Sequence, residues 1–221
     1  MAAPLTETQV PFSATLREST RDVHERAHHS EFMDALFDGQ LTLAGYARLA
    51  AQYHFVYQAI EEAGDALRED RVAAPFVFEE LRRVPALEAD LAFLLGEDWA
   101  TQLEPVAATE AYVRRIRAVA ADWPGGYVAH HYTRYLGDLA GGQAVRSLLK
   151  RHYGVDGPGA LFYSFDIANV PAFRRRYRAE LDAAPWDEAE QRRIVTETRV
   201  AFECNIAVLA DLARELDAFR A

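Results

Sequence analysis

Cysteine is almost missing: Cys204 is the single one in 221 residues. No internal disulfide can form, and one thiol cannot build a cysteine-based zinc site or an iron–sulfur cluster. This usage suits a reducing compartment, so a cytoplasmic location is expected. Positive charge is in deficit, with 24 Lys and Arg against 34 Asp and Glu and a net charge of −10. Nucleic acid is therefore not expected as the main partner. No apolar run approaches the ~18–20 residues that cross a bilayer. The first ten residues lack a basic region followed by an apolar stretch, and positions 216–221 carry no hydrophobic tail, so a soluble chain without a membrane anchor is expected. Alternating strands, internal repeats, low-complexity stretches and flavin- or nicotinamide-binding motifs are also lacking.

What is present is helical. Hydrophobic residues make up 50% and charged residues 26%, as in ordinary globular domains. Ser13 can cap a helix reaching position 29, and Thr42 a long one to about 68. Pro85 and Gly96 bracket a shorter one, and Thr109 with Glu110 starts another that stops before Pro124. A further helix ends at Gly154, the next starts at Asn169 and Pro171, and Asp187 opens a long last one. The expectation is one all-α domain over residues 13–219, behind a flexible extension over residues 1–12.

The tract over residues 132–143 stands out. Leu136, Leu139, Val145, Leu148 and Leu149 recur near helical spacing, yet Gly137, Gly141 and Gly142 fall within six positions. Three glycines in a helix forgo about 3 kcal/mol relative to alanine. Gly137 and Gly141 are four apart and share a face, with Asp138 and Gly142 on the adjoining strip. A face without side chains allows close approach to the backbone, either by a neighbouring helix or by a ligand. A helix crossing alone does not explain an aspartate beside that strip.

Seven histidines are candidate ligands: His24, His28, His29, His54, His130, His131 and His152. His24-Glu25-Arg26-Ala27-His28 matches the H-E-x-x-H pattern, which places two imidazoles on one helix face for zinc, with Glu25 as general base. Glu31 and Asp34 stand where the extended pattern has glycine and a third histidine, although Glu61 or Glu62 is available as a third ligand. A second reading uses one imidazole. An axial histidine facing a glycine-bared helix describes a slot for a flat macrocycle, where haem iron takes a proximal histidine. His29, His130, His131 and His152 read as surface or hydrogen-bonded residues.

Two tracts in order, residues 16–33 around His24 and residues 129–143 around the glycines, resemble the proximal and distal helices of the haem oxygenases, most closely the soluble bacterial ones. The resemblance runs from about residue 16 to about 212. It implies a helical bundle with haem between the two helices and His24 as axial ligand to haem iron. Gly137, Gly141 and Gly142 would form the close-approach surface. Asp138 would hold a water that hydrogen-bonds to iron-bound oxygen without ligating the metal, so that Asp138 and Gly137 count as catalytic. Arg17, Arg174 and Arg178 fall at propionate-contacting positions and Tyr132 at a hydrogen-bonding one. Arg175 and Arg176 would face solvent or dock an electron donor.

The implied reaction is oxidative cleavage of haem b by O2 to biliverdin, CO and Fe2+. The α isomer is expected, with electrons from an external reductase or ferredoxin, serving iron acquisition or bilin supply. The family commonly has a glutamate where this chain has His28, which alters the partner of the axial ring. Tyr57 falls at a distal tyrosine position or serves core packing, while Phe202 and Asn205 read as wall residues. A non-catalytic haem-transfer protein and the zinc hydrolase stand as the alternatives.

Overall fold

The computed structural model describes residues 10–221, apart from the side chain of His28. Its helices are α1 (Phe12–Ser19), α2 (Arg21–His28), α3 (Glu31–Phe37), α4 (Leu43–Ala66), α5 (Val84–Leu95), α6 (Ala107–Asp122), α7 (Pro124–His131), α8 (Gly137–Tyr153), α9 (Val170–Ala183), α10 (Glu188–Ala213) and α11 (Leu216–Phe219). Extended pairing among the described residues is limited to one bridge between Leu41 and Arg220. The fold is all-α, and none of the described helices is long and apolar enough to cross a membrane. Of the expected extension, residues 1–9 lie outside the described residues. Phe12 already begins α1 and is buried.

Several helix ends follow local chemistry. The Asn169 side chain accepts from the Ala172 N–H at 2.9 Å, and Asp187 accepts from the Glu190 N–H at 2.8 Å. Each satisfies a donor that a helix start leaves free. Gly154 closes α8 at φ 68°, a left-handed conformation that glycine adopts without strain.

Other ends depart from expectation. The helix expected over residues 13–29 is two helices, broken at Thr20, whose hydroxyl donates to the Leu16 carbonyl at 2.8 Å. Such local bonds compete with the helix ladder. Ser13 does not cap: Pro11 holds that place, and the Ser13 N–H and hydroxyl donate to Asp182 of α9 at 2.7 and 3.0 Å. Thr109 lies inside α6, buried, rather than at its start. Helix α3 was not anticipated; Ser30 caps it through the Met33 N–H, and it buries Phe32, Met33, Ala35 and Leu36.

The centre of the molecule is a layer of α4, α6, α7 and α10, with α5 packed on α4 and with α2 and α3 packed on α10. Tyr46, Tyr57 and Tyr112 are fully buried in it, as are Tyr135, which follows α7, and Tyr177 of α9. Helices α7 and α8 are joined without a break by one wide π turn, Tyr132–Leu136. Such turns insert an extra residue into a helix and recur at functional sites.

Candidate active site

A cleft of about 850 Å³ opens between α1 and α2 on one side and the π turn with α8 on the other. His24, Leu136, Gly137, Ala140 and Phe202 line it, with Arg17, Tyr132, Arg174 and Arg178. A smaller inner cavity of about 120 Å³ adjoins it at His24 and Gly137 and reaches Asp138, Gly141, Gly142, Tyr163 and Asn205. The larger volume lies in the range of small-molecule and cofactor pockets.

The glycines divide into two kinds. A Cβ at Gly137 or at Gly141 would meet nothing within 4 Å, so both present bare backbone to open space. Gly142 is buried, and a Cβ there would lie 3.5 Å from Tyr163. The open strip is therefore Gly137 and Gly141, while Gly142 packs against the segment after α8.

His24 projects from α2, with its ring edge-on to Phe202 at 5.8 Å. Burial lowers its pKa, which favours the neutral imidazole that can offer a lone pair. Helix α2 is seated on α10 by two ion pairs of opposite polarity that flank His24. Arg199 meets Asp22 at 2.6 Å, and Arg26 meets Glu203 at 2.7 Å. The His28 side chain, and with it the expected change of partner for the axial ring, lies outside the described residues.

Asp138 stands at the inner cavity. Its Oδ2 is buried without a hydrogen-bond partner, and its Oδ1 is 3.9 Å from Arg134. Burial pushes the carboxyl well above the usual carboxylate range.

Arg134 is the residue that sequence reasoning missed. Its guanidinium is buried over the rings of Tyr53 and Tyr57, at 4.4 and 5.2 Å. It donates to the Tyr57 hydroxyl at 3.3 Å and to Asn205 Oδ1. A buried cation held by aromatic faces and neutral oxygens leaves positive potential beside Asp138. The available signal was its position, four residues before the aspartate.

At the mouth, Arg174 is held below the usual arginine range by burial, then by the like charges of Arg178 and Arg17. Its Nε is buried without a partner. Burial raises the Tyr132 pKa, against the pull of the same three arginines. Glu18, which also lines the cleft, is paired with Arg21 at 3.4 Å. Three cations and a phenol thus converge, a setting suited to carboxylates. Of the neighbouring cations, Arg176 lies over Phe78 and Phe173 and pairs with Glu80, whereas Arg175 is exposed.

The remaining histidines serve elsewhere. His130 is buried against Glu197 at 3.0 Å, and His131 against the Tyr177 hydroxyl at 2.9 Å. His29 and His152 are exposed. Glu61, needed as a third ligand in the zinc reading, accepts instead from the Arg83 and Val84 N–H groups and from Tyr135. No cluster of three or more metal-binding His, Cys, Asp or Glu side chains occurs among the described residues.

Comparison with known proteins gives one answer. Residues 10–211 match the family model described as heme oxygenase. Heme oxygenase 1 of Nostoc sp. is 36% identical over 203 residues, covering 91% of this chain and 85% of that protein. The crystal structure of heme oxygenase-1 from Synechocystis sp. in complex with heme superposes with a TM-score of 0.90 at 36% identity, covering 95% of each chain. Heme oxygenase from Leptospira interrogans gives 0.87 at 33% identity, covering 91% of this chain and 99% of that one.

Proposed function

Because the chain belongs to the haem oxygenase family and is an enzyme that degrades haem, we propose that the cleft between α2 and α8 is where haem is held and opened. His24 ligates the iron from α2. Gly137 and Gly141 admit the ring against bare backbone, and Gly142 sets the inner wall. Arg17, Arg174, Arg178 and Tyr132 take the two propionates.

The residues suit this ligand. A Cβ at Gly137 or Gly141 would stand out into the open space beside the helix, where a flat ring would otherwise lie against the backbone. The convergence of Arg17, Arg174 and Arg178 calls for an anion with more than one negative charge. The partnerless Asp138 Oδ2 at the inner cavity calls for a hydrogen-bonding guest, such as an ordered water. Bound haem supplies both the substrate and the iron that activates O2.

Asp138 and Arg134 do the protein's part of the chemistry. The Asp138 carboxyl can accept at Oδ2 and so hold and orient a water in the inner cavity. Arg134 keeps the local potential positive and the carboxyl in place. The products are biliverdin, taken as the α isomer because the propionate anchors look like the usual ones, with CO and Fe2+.

Electrons come from a separate reductase or ferredoxin, for which the exposed Arg175 beside the mouth offers charge. Cys204 as sole cysteine supports a reducing, cytoplasmic setting. A single domain over residues 13–219 is supported by one buried cluster running from Phe12 to Leu216. The reaction serves iron acquisition from haem or the supply of bilin.

The observation that carries this reading is His24 facing an open glycine strip with the partnerless Asp138 oxygen beside it. The test is optical. Hemin is added to the purified protein until a Soret band saturates, then ascorbate is added in air with catalase present. Loss of the band with biliverdin appearing is the expected result. A band stable to ascorbate and to a protein reductase would make the protein a haem carrier, and absence of saturable binding would end the reading.

A further inference from the structure

Asp90 takes no part in the cleft, yet it is a buried carboxylate with an unusual task. It sits on α5, is 0% exposed, and α5 contributes no residue to either cavity. Its Oδ1 accepts from the N–H groups of Gly159 and Leu161 at 2.8 and 2.9 Å, and its Oδ2 from that of Phe162 at 2.8 Å. Three backbone donors from four consecutive residues thus converge on one side chain. Two acceptor oxygens without a donor suit this arrangement, and no neutral side chain of that size does.

The segment so held has little regular secondary structure, though Ala160, Phe162 and Tyr163 are buried. It follows Gly154 as an irregular loop, with Gly157 and Gly159 at φ 101° and 94°, and forms only a short 3₁₀ turn, Leu161–Tyr163. A Cβ at Gly159 would come within 2.9 Å of the Phe93 ring, so the loop is pressed onto α5. Arg83, at the start of α5, adds a second grip. Its guanidinium donates to the carbonyls of Phe162 and Ser164 at 3.2 and 2.8 Å and lies 4.1 Å over Phe165.

The loop presents one ring to the inner cavity and packs a second behind it. Tyr163 packs on Gly142 and lines the cavity beside Asp138. Phe162 packs on Tyr53 at 5.6 Å and on Tyr57 at 5.2 Å, the two rings beneath Arg134.

We infer that Asp90 is a positioning and specificity-determining residue: by fixing the 159–163 turn it sets the wall that Tyr163 gives the inner cavity, and so which edge of the bound ring is attacked. This rests on the haem-cleaving reading of the cleft. The inner cavity is small, so the placement of its wall limits where a second ligand of the iron can lie. His24, the arginines and the open glycine strip are untouched by Asp90, so binding and selectivity should separate.

The experiment compares the wild-type chain with Asp90→Asn. An amide there turns a donor toward a backbone N–H. In the haem-free protein, hydrogen exchange at Gly159, Leu161 and Phe162 is expected to quicken roughly tenfold, with α10 amides unchanged. Hemin affinity is expected to stay within about threefold. The biliverdin isomers, separated by chromatography, are expected to change from one to a mixture with a second isomer at roughly a tenth or more of product.

Unchanged exchange would overturn the clamp. Faster exchange with an unchanged isomer pattern would overturn the specificity role. Wild-type protein that failed to bind hemin would overturn the reading of the cleft and that role with it, while the exchange data would still decide the clamp. Should Asp90→Asn not fold, Tyr163→Leu opens the wall without touching the carboxylate. It is expected to broaden the isomer pattern, and an unaltered pattern there would likewise overturn the inference.

Discussion

At the scale of single residues, the cleft separates holding from reacting. Replacing Asp138 by alanine removes the carboxyl proposed to hold the cavity water but leaves His24 and the arginines in place. The variant is expected to keep its Soret band on titration with hemin and to lose biliverdin formation by roughly a hundredfold or more, read by absorbance under ascorbate. Normal turnover would refute the role. His24→Ala is expected to weaken hemin binding and to abolish the imidazole signature in the ferrous spectrum; native ligation would refute the axial assignment. The structure gathers most of these residues at one cleft, and the sequence could name them because the proposed chemistry demands a type: an imidazole, a carboxylate, arginines near one another. Arg134 was not. Its role depends on Tyr53, Tyr57 and Asn205 from α4 and α10 coming together around it, and no local pattern announces that. The partner of Asp90 was hidden for the same reason, since its three donors lie about seventy positions away.

At the scale of elements, the glycine strip on α8 yields a prediction whose sign separates a ligand surface from a packing surface. A Cβ at Gly141 meets nothing in the protein. Gly141→Ala is therefore expected to stabilise the ligand-free protein, by up to about 1 kcal/mol in denaturant unfolding. The same change should weaken hemin binding in titration. Loss of stability would mean that the strip packs against protein instead. The helices themselves were readable where a side chain caps its own start, as at Asn169 and Asp187. They were misread where a tertiary partner took the capping residue, as Asp182 takes Ser13. The break at Thr20 has neither proline nor glycine to signal it. At it the Thr20 hydroxyl donates to the Leu16 carbonyl, and the chain turns α2 onto α10, where its two ion pairs lie.

At the scale of the whole molecule, acid sensitivity follows from two buried groups. Burial pushes Glu197 upward, but hydrogen bonds from His130 and Arg115 outweigh it and hold the carboxyl at about 2. Burial alone lowers His131 to about 3. In the unfolded chain these groups take up protons near 4.5 and 6.5, before the folded protein does. Both therefore stabilise the fold above those values and lose that contribution as pH falls, His131 from about 6.5 to 3 and Glu197 from about 4.5 to 2. Melting temperature is expected to decline from near neutrality downward. Glu197→Gln, which leaves Arg115 and His130 without their partner, is expected to lose about 2 kcal/mol at pH 7 and to flatten the decline below pH 4.5. The π turn also has a consequence for the molecule as a whole, because it works as a splice. A residue inserted into an ordinary α-helix would turn everything beyond it by about 100°, but the wider π turn absorbs the extra residue and keeps α8 in step with α7. Deleting one position within Tyr132–Leu136 would let an ordinary α turn close in its place, with α7 still docked on α10 and Asp138 and the bare glycine strip still turned toward His24. The spare residue is slack in the helix, and its loss would tighten the wall of the cleft without turning it.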